Sequence, residues 1–193
     1  MSFMKEWRAS PRNTLHVLYS ADKTPAIIPA KTPLRAGRDS LAAIVEKCPH
    51  DIRSVVDLTN TQKSRYPVPR GIRRVHLKME GHGKVPDERA VETFLRIVED
   101  LRAQRGGTVL VHCTHGLNRT GYLCCRWLMA AGGVRTPSAA MSIFAKVRGG
   151  GIAREVLCTA LRRLPAGIKG VEPRPTPSGN TTSGGDALSP DSR

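Results

Sequence analysis

Apolar positions along this chain follow two rhythms. Short runs of aliphatic and β-branched residues occur at 15–19, 26–28, 54–58, 75–79 and 108–112. Runs this short, bounded by turn formers, predict strands. Between them the apolar residues recur every three or four positions. Leu41, Ile44 and Val45 share one face of a helix predicted over 40–48. Val91, Phe94, Leu95, Val98 and Leu101 form the stripe of the clearest helix, 87–105, with acids in its first turn and Gly106-Gly107 at its end. Three more helices are expected: one from the segment after residue 117 to about 131, one at 137–147 and one at 153–164. Pro25, Pro29 and Pro33 keep their segment extended, while 60–71 and 81–86 carry loop breakers. Strands separated by helices predict an α/β domain with a mainly parallel central sheet flanked by helices. Ligands of such sheets bind beyond the strand carboxyl ends.

The division expected is a polar arm at 1–14, anchored by Trp7, then one domain at 15–165. A tail follows at 166–193, rich in Gly, Pro, Ser, Thr and Asp and expected to be disordered. A chain of 193 residues can bury a core without metal or disulfide staples. With aromatics at 4%, that core must be built mostly of Val, Leu, Ile and Ala. Cys48, Cys113, Cys124, Cys125 and Cys158 are odd in number and match no zinc or CxxC spacing. We read all five as thiols in a reducing compartment. No segment resembles a signal peptide or a membrane span. The expectation is a soluble intracellular monomer of the nucleus or cytoplasm, without a membrane partner.

Charge narrows the partners. The net charge is +15, and residues 166–193 hold three basic and three acidic residues, so the excess belongs to the body. Residues 60–84 hold seven basic residues against Glu80 alone, and residues 126–163 hold seven against Glu155 alone. A field of this sign attracts polyanions and speeds their encounter.

The chemistry centres on His112-Cys113-Thr114-His115-Gly116-Leu117-Asn118-Arg119-Thr120-Gly121. A strand leads into it and a helix leads out. Backbone N–H groups of such a loop, with the helix dipole, favour a thiolate at Cys113 and cradle the oxygens of a phosphoryl group. Gly116 permits close backbone approach. Arg119 offers a planar two-pronged donor that Lys cannot copy. Thr114, His115, Leu117 and Asn118 supply backbone donors, Asn118 also bracing the loop, and the Thr120 hydroxyl is placed to bond the Cys113 sulfur. His112 is expected to orient the loop from a buried ring. One of Cys124 and Cys125 is expected in the core and the other partly exposed.

His-Cys-x5-Arg-Thr resembles the signature of the cysteine-dependent phosphatase superfamily. The fuller 112–123 segment resembles its RNA 5′-phosphatase branch, which includes RNA/RNP-complex phosphatases, the baculovirus RNA phosphatase and the triphosphatase domain of animal mRNA-capping enzymes. Asp57-Leu58-Thr59-Asn60-Thr61 matches that branch's Asp-Leu-Thr-x-Thr stretch. Gly81-His82 with Val85-Pro86-Asp87 resembles its Gly-His-x-Val-Pro-Asp loop with one residue added, and Arg148-Gly149 and Arg154 keep its spacing. The resemblance implies the cysteine-phosphatase fold, with Cys113 and Arg119 catalytic and residues 114–118 and Thr120 binding phosphate. It implies no cofactor and no metal, RNA 5′ ends as substrate, and RNA-processing proteins as further partners. Lys31, Lys63, Lys84, Arg148 and Arg154 are the candidate RNA contacts.

A general acid is the weak point. Asp87 is the only Asp in its loop and stands where a helix N-cap belongs, so capping and proton donation compete for it. Glu80 and His82 are the other candidates. A serine alkoxide needs a proton to leave, whereas the diphosphate expelled from a 5′-triphosphate is already a stable anion. The expectation is therefore metal-independent removal of RNA 5′-phosphates, γ first and then β, through a cysteinyl phosphate. The alternatives are a dual-specificity protein phosphatase and a non-catalytic module that binds RNA 5′ ends.

Overall fold

The computed structural model describes residues 7–60, 66–81 and 83–166. Five strands form one sheet: β1 (Leu18–Tyr19), β2 (Pro25–Lys31), β3 (Ile52–Asp57), β4 (Arg73–His76) and β5 (Thr108–Cys113). Their order is β1-β2-β5-β3-β4. β1 runs antiparallel to β2, and the other pairs are parallel. The helices are α1 (Leu41–Lys47), α2 (Glu88–Arg105), α3 (Asn118–Ala130), α4 (Pro137–Arg148) and α5 (Glu155–Arg162).

Strand alternation divides the core into two layers. Ile27, Val56, Val109 and Val111 face the layer of α2, α3, α4 and α5. Ile28, Val55 and Leu110 face the layer of α1. β5 is central and buried along its whole length. The strand expected at 75–79 begins instead at Arg73 and ends at His76; pairing with Ser54 to Asp57 sets those limits. Pro29 sits within β2 beyond the end of its pairing with β1, so its missing donor costs no ladder bond.

α3 is buried on every side from Thr120 to Met129. A helix apolar all round belongs inside a core. Cys124 and Cys125 are therefore both at 0% exposure, correcting the expectation that one is partly exposed, and burial pushes both thiols up. Trp7 is the expected anchor: its Nε1 donates to Thr32 O at 3.0 Å. The tail beyond residue 166 lies outside the described residues. Among the described residues, no helix is long and apolar enough to cross a membrane.

Candidate active site

Cys113 closes β5 at the carboxyl edge of the sheet and is 3% exposed. The chain then turns through Gly116, whose φ of 70° lies in the left-handed region. A Cβ there would collide with the Ala30 carbonyl and stand 2.6 Å from Lys31 N. The loop thus rests directly on β2. Leu117 makes no side-chain cap to α3. The first N–H groups of a helix have no partner within it, which leaves them free to meet an anion at the loop.

A cleft of about 460 Å³ opens above Cys113. Thr114, His115, Asn118 and Arg119 line it from the loop, with Lys84 and Arg154 opposite. Gly116 faces β2 instead, and Leu117 packs toward Gly150. Arg119 is fixed by three acceptors. Its Nη1 donates to Leu58 O at 3.0 Å and Met79 O at 3.1 Å, and its Nη2 donates to Thr114 Oγ1 at 3.2 Å. Asn118 Oδ1 accepts from Ala153 N and Arg154 N, both at 3.0 Å, so the loop also braces the entry to α5.

Several expected site residues lie elsewhere. The Thr120 hydroxyl is fully buried and makes no hydrogen bond, to the Cys113 sulfur or to any other described residue. It lies in the first turn of α3 and is absent from the cleft walls among the described residues. Arg148 was expected at the RNA surface but is 0% exposed. It donates to Arg12 O at 2.7 Å, Pro11 O at 3.0 Å and His115 O at 3.1 Å, tying the N-terminal arm to the loop. Burial pushes its pKa down to about 10, opposed by Cys113. Lys31 is 2% exposed. Its Nζ lies 3.6 Å from the Trp7 ring centre and donates to Trp7 O at 3.0 Å. Burial by the arm is what removes both residues from solvent.

Asp87 is an N-cap, its Oδ1 accepting from Ala90 N at 2.8 Å. It is absent from the cleft walls among the described residues. Glu80 lines the cleft and pairs with Lys84 at 2.8 Å. Lys84 and Arg154 keep positions from which to meet a substrate. His82 and Lys63 lie outside the described residues.

The sequence reading missed a buried network behind the loop. The His112 ring accepts or donates a 2.5 Å bond with Tyr66 OH and lies 3.8 Å from Asp57 Oδ1. Arg74 pairs with Asp57, and its guanidinium lies 4.7 Å from the Tyr66 ring centre. Burial lowers the His112 pKa to about 4, so the ring is neutral at pH 7. Burial opposes the Asp57 charge, but His112, Thr59 and Arg74 together hold its pKa below the usual carboxylate value. The available signal was Asp57 itself, a lone acid ending the apolar run Val55-Val56. A buried charge demands a partner.

Comparison with known proteins agrees with this construction. A worm protein, the Caenorhabditis elegans "RNA/RNP complex-1-interacting phosphatase homolog", is 34% identical over 63% of this chain and 54% of its own. The mouse "mRNA-capping enzyme" is 35% identical over 63% of this chain and 21% of its own. The "Tyrosine-protein phosphatase" of Autographa californica nuclear polyhedrosis virus is 38% identical over 58% of this chain and 67% of its own. The chain thus spans about half of the worm relative and a fifth of the capping enzyme. The crystal structure of Pseudomonas aeruginosa TpbA in complex with pTyr shares the fold, with a TM-score of 0.57 and 19% identity over 80% of this chain and 93% of that one. The family model "Dual specificity phosphatase, catalytic domain" matches residues 37–162, and the chain belongs to that family.

Proposed function

We propose that this chain removes the 5′-terminal phosphates of RNA, the γ-phosphate first and the β-phosphate after it, without a metal. Cys113 Sγ attacks the terminal phosphorus, and the bond to the departing diphosphate breaks. Arg119 and the loop amides hold the charge that gathers on the transferring oxygens. Water then cleaves the sulfur–phosphorus bond and releases phosphate. Arg148 and the network at His112 hold the loop from behind.

The observation that carries this reading is the composition of the cleft. Arg119, Lys84 and Arg154 face the space above the thiol, while Glu80 is engaged by Lys84 and Asp87 by the start of α2. Such a site suits a polyanion whose leaving group needs no proton. An adjoining cavity continues past Lys84 to Lys78, giving further cationic wall for the inner phosphates. The names of the worm and mouse relatives support RNA as the carrier. The baculovirus relative's name supports a second reading, phosphotyrosine hydrolysis, whose phenolate also leaves readily. Rates on triphosphate-ended RNA and on a phosphotyrosine peptide, measured side by side in EDTA, separate the two. A large preference for the peptide overturns the RNA reading.

A further inference from the structure

The cleft at Cys113 makes no use of a second cavity on the same end of the sheet. That cavity measures about 440 Å³, and its walls include Trp7, Asp39 and four cations: Arg8, Arg12, Lys31 and Arg38. Among the described residues, the side chains of Arg8, Arg12 and Arg38 make no hydrogen bond or ion pair. Lys31 is buried, with two of its three N–H donors on Trp7 O and Ser10 O. Among the described residues, no carboxylate lies within ion-pair distance of it, and Asp39 is the one acid on the wall.

From this juxtaposition of four cations in one cavity with a single acid, we propose that the arm pocket is an anion subsite for a phosphodiester of the RNA chain bound at Cys113. The proposal rests on the RNA reading above. Placement supports it. Lys31 pairs with Cys113 across β2 and β5, and Thr32 N donates to Thr114 O at 3.2 Å. Neighbouring strands lie about 4.8 Å apart, so the two sites share one edge of the sheet. Arg148 bonds the arm and the loop at once, through Pro11 O, Arg12 O and His115 O. A chain with a charge at every nucleotide can occupy both sites. Recognition there is by charge. The Trp7 ring carries Lys31 over one face and is 4% exposed, which leaves little of it for stacking a base. The pocket therefore adds affinity without reading sequence.

Burial lowers the Lys31 pKa; Asp39 is the strongest charge acting on it and opposes the shift, while Arg148 and Arg12 add to it.

The test uses the full chain and the double variant Arg8→Ala, Arg38→Ala, both residues being absent from the cleft walls. Hydrolysis is measured on triphosphate-ended RNA as a dinucleotide and as a dodecamer, and binding on a 5′-hydroxyl dodecamer. The wild type should prefer the dodecamer, and the variant should lose that preference while keeping its dinucleotide rate. Each phosphate neutralised on a single strand contributes about 0.7 to the salt slope, so losing the one phosphodiester held here removes about 2.6-fold of the affinity change between about 50 and 200 mM salt. A variant that keeps the length preference and the slope overturns the proposal. A larger loss on a phosphopeptide than on RNA also overturns it. If no RNA phosphate is released, the proposed reaction falls, and the pocket is judged on the 5′-hydroxyl RNA alone. Equal binding by wild type and variant then overturns the subsite.

Discussion

Gly116 in the phosphate loop and Gly81 on the cleft wall have opposite tolerances. Gly116 holds φ at 70°, and an added methyl meets the backbone of Ala30 and Lys31 in β2, which has no side chain to turn away. The left-handed conformation costs a non-glycine residue about 1–2 kcal/mol. Forcing a methyl against a packed strand adds about 1–3 kcal/mol. Gly116→Ala should therefore destabilise the fold by about 2–5 kcal/mol, which is roughly 4–20 °C in Tm for a domain of this size. Activity should fall with it, because relief requires the phosphate loop to lift off β2. Gly81 is the control. Its nearest neighbour to an added Cβ is Arg119 Nη2 at 3.7 Å, an ordinary contact, so Gly81→Ala should unfold with the wild type. Thermal unfolding followed by circular dichroism, with hydrolysis measured on the same samples, reads both variants. A Gly116→Ala protein with wild-type Tm and rate would refute the claim that the loop is seated on β2.

Arg119→Lys should lose about 10²–10³-fold in kcat despite keeping its charge, the scale of losing one preorganised donor to the transition state; steady-state kinetics with an unchanged Tm is the check. Asp87→Asn should leave the rate on triphosphate RNA within a small factor, because Asn also caps, whereas Asp87→Ala should lose about 1 kcal/mol of stability; a large kcat loss in Asp87→Asn would make Asp87 the proton donor. Stability should fall as the pH drops from 6.5 toward 4. The folded pKa of His112 is depressed from 6.5 to about 4, so the unfolded chain takes up a proton in that window while the folded chain does not. The shift corresponds to about 3 kcal/mol, fully present above 6.5; a flat Tm between pH 7 and 4 contradicts a buried neutral ring.

The central elements were legible because their patterns are local. α2 shows its stripe from Val91 to Leu101, and the strand–loop–helix around Cys113 shows its chemistry in consecutive residues. Asp87 was legible as a cap for the same reason. The failures are long-range. Lys31 and Arg148 read as surface charge, and they are buried only because residues 7–14 fold back over the loop, a contact across 21 residues or more. The pairing of Tyr66 with His112 spans 46 residues, and a Tyr in a loop carries no mark of its partner. The mutual burial of Cys124 and Cys125 was readable, since the run from Tyr122 to Met129 has only Arg126 as a charge. That charge is matched by Glu88, through paired bonds of 2.7 and 2.6 Å.

The most direct test of the proposed chemistry is product analysis with RNA labelled separately at the β- and γ-phosphates, in EDTA, with wild type and Cys113→Ser compared. The account predicts release of γ-label by the wild type, followed by β-label, and none from Cys113→Ser. Release by Cys113→Ser at the wild-type rate, or no release from RNA by a wild type that readily hydrolyses phosphotyrosine, would contradict it.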